Sequence, residues 1–392
     1  MRSGTSFWLL LLGGTAAASY AAYRRRRRAR SKPALSATFD SETFRVAVVD
    51  FAEEGAAKKF TDSLKNTGFA VLTNHPVPST LISSVYREWR DFLVRLHESP
   101  DLSAKYYHSP DVQDGYFPMA VSEKAKGATV KDLKHYFQLY FPHGKYPDEA
   151  DVSGDARQLW TELTALGRTL VGWIDDHMPA DVRRSIQQKI GEGRTLSECV
   201  SEQCTMLRVL HYPGYADAEV EAGAVRAAAH EDINLITVLP AGSARGLQVK
   251  SNQTGAWHEV PLVEGSIVIN IGDMMQEMSD GAYISTTHRV IKMDDAAVGA
   301  AHGVLGQAAS RLFGALGLGD SAAQSGFESG DRMSTPCFIH LKKKCPMAIH
   351  GSAEHFLLER LVTLGVKPQK ILDDFLRENP GGKMAGWNPA EE

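Results

Sequence analysis

From Met206 onward the chain divides into short β-rich runs. They are MLRVLHY, INLITVL, GLQVK, WHEVPLV, SIVINI, YISTTHRVI and STPCFIHLK, with PGY, PAGSARG, SNQTG, VEG and SDG among the turns. Many short strands with regular turns point to a jelly roll or barrel. Upstream, Phe44 to Phe51 reads as a buried strand. A helix is expected over Glu53–Lys65, ending at Asn66-Thr67-Gly68, and a second strand over Gly68–Leu72, closed by Asn74-His75-Pro76. Helical spacing also marks Pro78–His97, Ala156–Met178, Asp181–Ile190 and the C-terminal His355–Leu364. The expected fold class is mainly β with flanking helices (α+β): a jelly-roll core behind an N-terminal helix-and-strand region.

Composition fits this reading and removes others. Over 392 residues, 43% are hydrophobic, 8% aromatic and 23% charged, which excludes disorder, collagen or coiled coil as whole-chain descriptions. The first acidic residue is Asp40, and the basic residues ahead of it include the run Arg24–Arg28. The rest of the chain is therefore acidic, which argues against a nucleic-acid-binding surface. Four cysteines (Cys199, Cys204, Cys337 and Cys345) form no CxxC pair. At this density a disulfide framework is not expected, and a reducing compartment is.

Thr5 to Tyr23 carries no charge and is followed by RRRRRAR, Arg24–Arg30. An uncharged run of about 20 residues can cross a bilayer, and a following Arg cluster keeps its flank in the cytosol. The expectation is a single-pass N-terminal anchor with a cytosolic catalytic domain. The alternative is a transit sequence to a mitochondrion or plastid, since an Arg-rich, acid-free start also fits that use.

The expected domain plan has four parts: 1–43 as anchor or transit segment with a basic linker, 44–205 as the N-terminal region, 206–345 as the core, and 346–392 as a C-terminal helix and tail. Within the core, Ala296–Gly330 is dominated by Ala, Gly and Ser and breaks the β pattern. It reads as an insertion between two strands, either a loop or a short helical flap.

The chemistry is carried by His230-Glu231-Asp232 and by His288, at the end of YISTTHRV. In an extended strand, positions i and i+2 share a face, so His230 and Asp232 can address one ion while Glu231 points away. Two His and one carboxylate with open positions suit Fe(II) and leave room for a chelating co-substrate and oxygen. Arg332-Met333-Ser334 again puts i and i+2 on one face. A guanidinium with an adjacent hydroxyl can clamp a carboxylate, as the far end of 2-oxoglutarate would require.

Taken in order, HEDINLITVLP, GLQVK, GSIVINIGDMMQ, STTHRV and RMSTPCFIH resemble the core of the isopenicillin N synthase-like 2-oxoglutarate/Fe(II)-dependent dioxygenases. GFAVLTNHPVP, GYFP, KDLKHYF and LRVLHYP resemble segments of the same family's N-terminal half, so the likeness runs from about Val46 to Leu364. The resemblance implies a double-stranded β-helix, with His230, Asp232 and His288 as iron ligands and Arg332 and Ser334 on the 2-oxoglutarate carboxylate. It also implies Tyr212 as a further hydroxyl partner of the co-substrate; the other reading of Tyr212 is a core tyrosine. Two departures stand out. His75-Pro76 replaces the family's His-Gly, and the His288-to-Arg332 spacing is lengthened by the Ala/Gly/Ser-rich stretch.

The implied activity uses Fe(II), 2-oxoglutarate and O2 to hydroxylate or otherwise oxidise a small organic metabolite, releasing succinate and CO2. One alternative is an Fe(II) oxidase of the same family that does not use 2-oxoglutarate. Another is a non-catalytic, membrane-tethered small-ligand receptor. Expected partners are a small-molecule substrate and, through the N-terminal segment, a membrane. The substrate's identity and the oligomeric state stay open at this point.

Overall fold

The computed structural model describes residues 44–121, 132–214, 226–291 and 331–391. The chain opens with β1 (Ala47–Asp50), α1 (Ala56–Thr67), β2 (Phe69–Thr73), α2 (Ser79–Glu98) and α3 (Pro100–Tyr106). β3 (Gly115–Phe117), β4 (His135–Tyr140), α4 (Asp155–His177), α5 (Ala180–Ile190) and the long β5 (Val200–Tyr212) follow. β6 (Ala227–His230), β7 (Ile236–Pro240), β8 (Leu247–Lys250), β9 (Trp257–Glu259), β10 (Ile267–Ile271), α6 (Asp273–Met278) and β11 (His288–Val290) make the middle. β12 (Arg332–Ser334), β13 (Cys337–Leu341), α7 (Ala353–Thr363) and α8 (Gln369–Glu378) complete it.

Two sheets face each other. The larger runs β1-β2-β10-β7-β13-β5-β4-β3, with β12 also paired to β5; the smaller runs β6-β11-β8-β9. β1 and β2 pair in parallel, and the other neighbours pair antiparallel. This is the jelly-roll core with flanking helices that the strand pattern leads one to expect.

The period of two in each strand decides which side chains meet which layer. On β10, Ile267, Ile269 and Ile271 join the helix-side core, while Val268 faces the smaller sheet. On β7, Ile236 and Val238 likewise face the helices. Both faces are covered, so these strands read as nearly continuous apolar runs. The helix-side core is closed by α2, whose Val85, Tyr86, Trp89, Phe92, Leu93 and Leu96 recur at helical spacing and are buried. α4 lies on β13, where a Cβ at Gly167 would come within 2.6 Å of the Ile339 side chain. Between the sheets, Phe117, Tyr136, Leu210 and Tyr212 of the larger sheet pack against Ala227 and Val290 of the smaller.

Several expectations need adjustment. The run YISTTHRVI forms a strand only over His288–Val290. GDMMQEM, which the strand-and-turn pattern leaves without an assignment, contains the buried helix α6. The Ala296–Gly330 stretch lies outside the described residues, as do Thr5–Tyr23 and Arg24–Arg30. No helix among the described residues is long and apolar enough to cross a membrane. The expected localisation, a single-pass anchor holding a cytosolic domain at a membrane, is therefore corrected. Its weakness is visible in the run itself, whose second half, GGTAAASYAA, is built of small side chains with little apolar surface to bury.

Candidate active site

His230 ends β6, Asp232 follows two residues later, and His288 opens β11 directly opposite His230 in the ladder. This register brings three potential ligand atoms, one from each residue, within 4.8 Å of one another. Asp232 Oδ1 lies 3.7 Å from Nε2 of His230 and 3.7 Å from Nε2 of His288. The opposite atoms are committed elsewhere. Nδ1 of His230 contacts the Ala228 carbonyl at 2.7 Å, and Nδ1 of His288 contacts the Thr286 carbonyl at 3.1 Å. A carbonyl can only accept, so both rings carry a proton on Nδ1, and Nε2 is the ring atom that faces Asp232. Asp232 Oδ2 accepts from Thr237 Oγ1 at 2.5 Å and from Asn270 Nδ2 at 2.8 Å, leaving Oδ1 free to turn toward the two imidazoles.

The electrostatics agree with this geometry. Crowding by neighbouring atoms, then the neighbouring His288, pushes the His230 imidazole down to about 4, although 41% of its side chain is exposed. It is therefore neutral at pH 7 and able to ligate. Burial works to raise Asp232, but His288, His230 and the Thr237 and Asn270 hydrogen bonds outweigh it and hold the carboxyl below its ordinary value. Two imidazoles facing one carboxylate across adjacent strands fit a divalent first-row cation with open positions.

Arg332 and Ser334 sit on the inward face of β12, since the intervening Met333 belongs to the helix-side core. Arg332 is opposite Tyr212 in the ladder, and its guanidinium lies 5.2 Å from the centre of the Tyr212 ring. Tyr212 thus offers its ring face to the arginine. Nε of Arg332 donates to the Ala244 carbonyl at 3.1 Å. Nη1 is buried and has no hydrogen-bond partner among the described residues. A buried, unpaired donor on a cation is costly, so the site fits an anion at this point. A Cβ at Gly242 would fall 2.6 Å from Arg332 Nη2, so glycine is needed there for the guanidinium to fit. Val290, two residues from His288 on the same face of β11, packs in one cluster with Tyr212. The triad and the arginine therefore open onto the same space between the sheets.

Thr237 and Asn270 were not singled out from the sequence. They are cross-strand partners, polar residues inside the apolar runs ITVLP and IVINI, and that interruption was the available signal. Three further histidines among the described residues take structural places. His340 Nδ1 contacts the Phe338 carbonyl at 3.0 Å, and His258 packs against Phe44 with ring centres 4.7 Å apart. His350 contacts Glu277 at 2.7 Å and Glu359 at 3.4 Å.

Comparison with known proteins gives two family matches in chain order. Residues 46–162 match the N-terminal region of non-haem dioxygenases, described from morphine synthesis, and residues 201–297 match the 2OG-Fe(II) oxygenase superfamily. A crystal structure of a Shewanella oneidensis protein named as an oxygenase is 35% identical, with 83% of this chain and 100% of that chain covered and a TM-score of 0.63. A full-length Neurospora crassa protein, solved in complex with alpha-KG, shares the fold at 20% identity, with 83% and 98% covered and a TM-score of 0.59. Feruloyl CoA ortho-hydroxylase 2 of Arabidopsis thaliana is 28% identical over 256 residues, or 63% of this chain. The match spans 65% of that relative's own length.

Proposed function

Because the chain belongs to the 2OG-Fe(II) oxygenase superfamily, we propose that it is a 2-oxoglutarate-dependent dioxygenase that oxidises a small organic metabolite, with His230, Asp232 and His288 holding the iron and Arg332, Ser334 and Tyr212 the co-substrate. The observation that carries this reading is the convergence on Asp232 Oδ1 of two Nε2 atoms, each 3.7 Å away, while the far atoms of all three side chains are held by other groups. When bound there, Fe(II) supplies the redox chemistry, coupling reduction of O2 to decarboxylation of 2-oxoglutarate and oxidation of the substrate.

The protein's own part is binding and orientation. The Ala228 and Thr286 carbonyls fix the tautomer and the tilt of each imidazole. Thr237 and Asn270 keep Asp232 ionised and turned. Arg332 meets the distal carboxylate of 2-oxoglutarate through Nη1, and the ring of Tyr212 backs the guanidinium. The apolar walls from Phe117, Tyr136, Leu210 and Val290 exclude water from the space between the two ends. The relatives' names point to small organic molecules as substrates, and the proposed substrate class goes no further than that.

The test is Fe(II)-dependent conversion of 2-oxoglutarate to succinate by the purified protein, with metabolite profiling to find the oxidised partner. Wild type should form succinate, and Asp232→Ala should form none and lose metal affinity, because one of three protein ligands is gone. Full turnover by Asp232→Ala would remove the assignment. Substrate oxidation without succinate would identify the family's oxidase branch instead.

A further inference from the structure

A buried polar chain lies on the reverse side of the strand that carries Arg332. Because Arg332 faces inward, its neighbour Asp331 faces the helix layer, as does His211 beside Tyr212. Both are buried: their side chains are 6% and 4% exposed. The Asp331 carboxylate gathers groups from three elements. Arg90 of α2 donates through Nε at 2.8 Å, and the Gly214 amide just beyond β5 donates at 2.7 Å. His211 of β5 places Nε2 at 3.3 Å. Behind His211, His135 Nε2 is 2.8 Å from His211 Nδ1, and the Tyr116 hydroxyl is 3.0 Å from His135 Nδ1.

An ionised Asp331 can only accept, from Arg90 Nε and the Gly214 amide. His211 Nε2 faces it as a close charge contact rather than an aligned hydrogen bond, and His135 links His211 to the Tyr116 hydroxyl through its two ring nitrogens. The electrostatics match. Burial raises Asp331, but His211, the Gly214 amide and Arg90 prevail and bring it down to about 2. Burial, then His211 and His97, bring His135 down to about 3, so it stays neutral.

We propose that Asp331 is a positioning residue for the co-substrate arginine. Held by Arg90, His211 and the Gly214 amide, it fixes the start of β12 against the end of β5, so that Arg332 stands over Tyr212 with Nη1 left for the 2-oxoglutarate carboxylate. This rests on the reading of Arg332 given above. It accounts for why a strand of three residues can hold a buried guanidinium in place. β12 is gripped by β5 on one side and by Ser243 on the other, where Met333 N donates to Ser243 Oγ at 2.9 Å. Its leading end is gripped by Asp331.

The test measures 2-oxoglutarate binding by calorimetry on the full chain loaded with Mn(II), together with Mn(II) affinity and thermal melting. Outer partners of metal ligands are typically worth about 10–100-fold in affinity, and a partner that positions a ligand-binding arginine is expected at the low end of that range. Asp331→Asn should therefore weaken 2-oxoglutarate binding about tenfold and Arg90→Gln about threefold, with Mn(II) affinity changed by less than about twofold. A merely structural role would lower the melting temperature and affect both ligands alike. Wild-type affinity for 2-oxoglutarate in Asp331→Asn, or an equal loss of Mn(II), overturns the proposal. If Asp331→Asn does not melt cooperatively, Arg90→Gln decides by the same two criteria. Arg332→Ala is the control. If it loses 2-oxoglutarate while Asp331→Asn and Arg90→Gln keep it, the positioning role falls and the site stands; if wild type itself binds none, the reading of the site falls first.

Discussion

At the scale of the residue, Arg332 is the proposed anchor of the 2-oxoglutarate carboxylate. Its Nη1 is a buried donor without a partner among the described residues, and a charged hydrogen bond to a carboxylate contributes about 1.5–3 kcal/mol. Arg332→Ala should thus raise the 2-oxoglutarate requirement roughly ten- to a hundredfold while leaving metal affinity unchanged. Titration of succinate formation against 2-oxoglutarate checks this, and an unchanged dependence would mean that the co-substrate carboxylate is held by a group other than Arg332. The pairing of His230 with Asp232 and of Arg332 with Ser334 was legible from strand periodicity, because HxD and RxS each place two functional groups on one face. What periodicity cannot show is which groups the second layer holds. Asp331 lies beside Arg332 in sequence but on the opposite face, and its partners Arg90 and His211 come from distant elements.

At the scale of the element, the proposed metal site depends on β7 and β10 even though neither supplies one of the proposed ligands. Thr237 and Asn270 are opposed across that pair, and both reach Asp232 Oδ2. Loss of such outer partners typically costs about 10–100-fold in metal affinity. Thr237→Val, which keeps the shape and removes the hydroxyl, should weaken Mn(II) binding by roughly tenfold with little change in 2-oxoglutarate affinity measured at saturating metal. A competition titration with a coloured chelator gives the number, and an unchanged Mn(II) constant would separate β7 from the metal centre. Elements with one strong period, such as α2 and α4, were readable to within a few residues, because their apolar faces have no competing pattern. α6 was not, since all six residues of DMMQEM are buried and so no face is marked. The strand at His288 was overextended for the converse reason. β-branched Thr286 and Thr287 look like strand, yet they bend to give the Thr286 carbonyl to His288 and the Thr287 carbonyl to Lys250 N.

At the scale of the whole molecule, the C-terminal helices clasp the jelly roll through α6, whose Asp273 amide bonds the Asp232 carbonyl. Arg360 of α7 meets Asp273 at 2.8 Å, and His350 meets Glu277 at 2.7 Å; His350 and Glu277 are both nearly fully buried. Trp387 adds a hydrogen bond to the Ile190 carbonyl at 3.0 Å, so the tail also reaches the helix layer. Burial by itself would lower His350, but Glu277 and then Glu359 outweigh it and hold the imidazole up at about 9, above its ordinary 6.5. A group raised on folding stabilises the folded state fully below its unfolded value, and that contribution disappears as pH climbs through the folded value. His350 should therefore contribute on the order of 3 kcal/mol at pH 6, fading between about pH 6.5 and 9. His350→Gln removes the titrating group and keeps a hydrogen-bonding side chain. Urea melts of the two proteins should differ most at pH 6 and converge toward about pH 10. A difference that stays constant across that range would mean that the clasp is held by Arg360 and packing, and that the His350 charge contributes nothing to it.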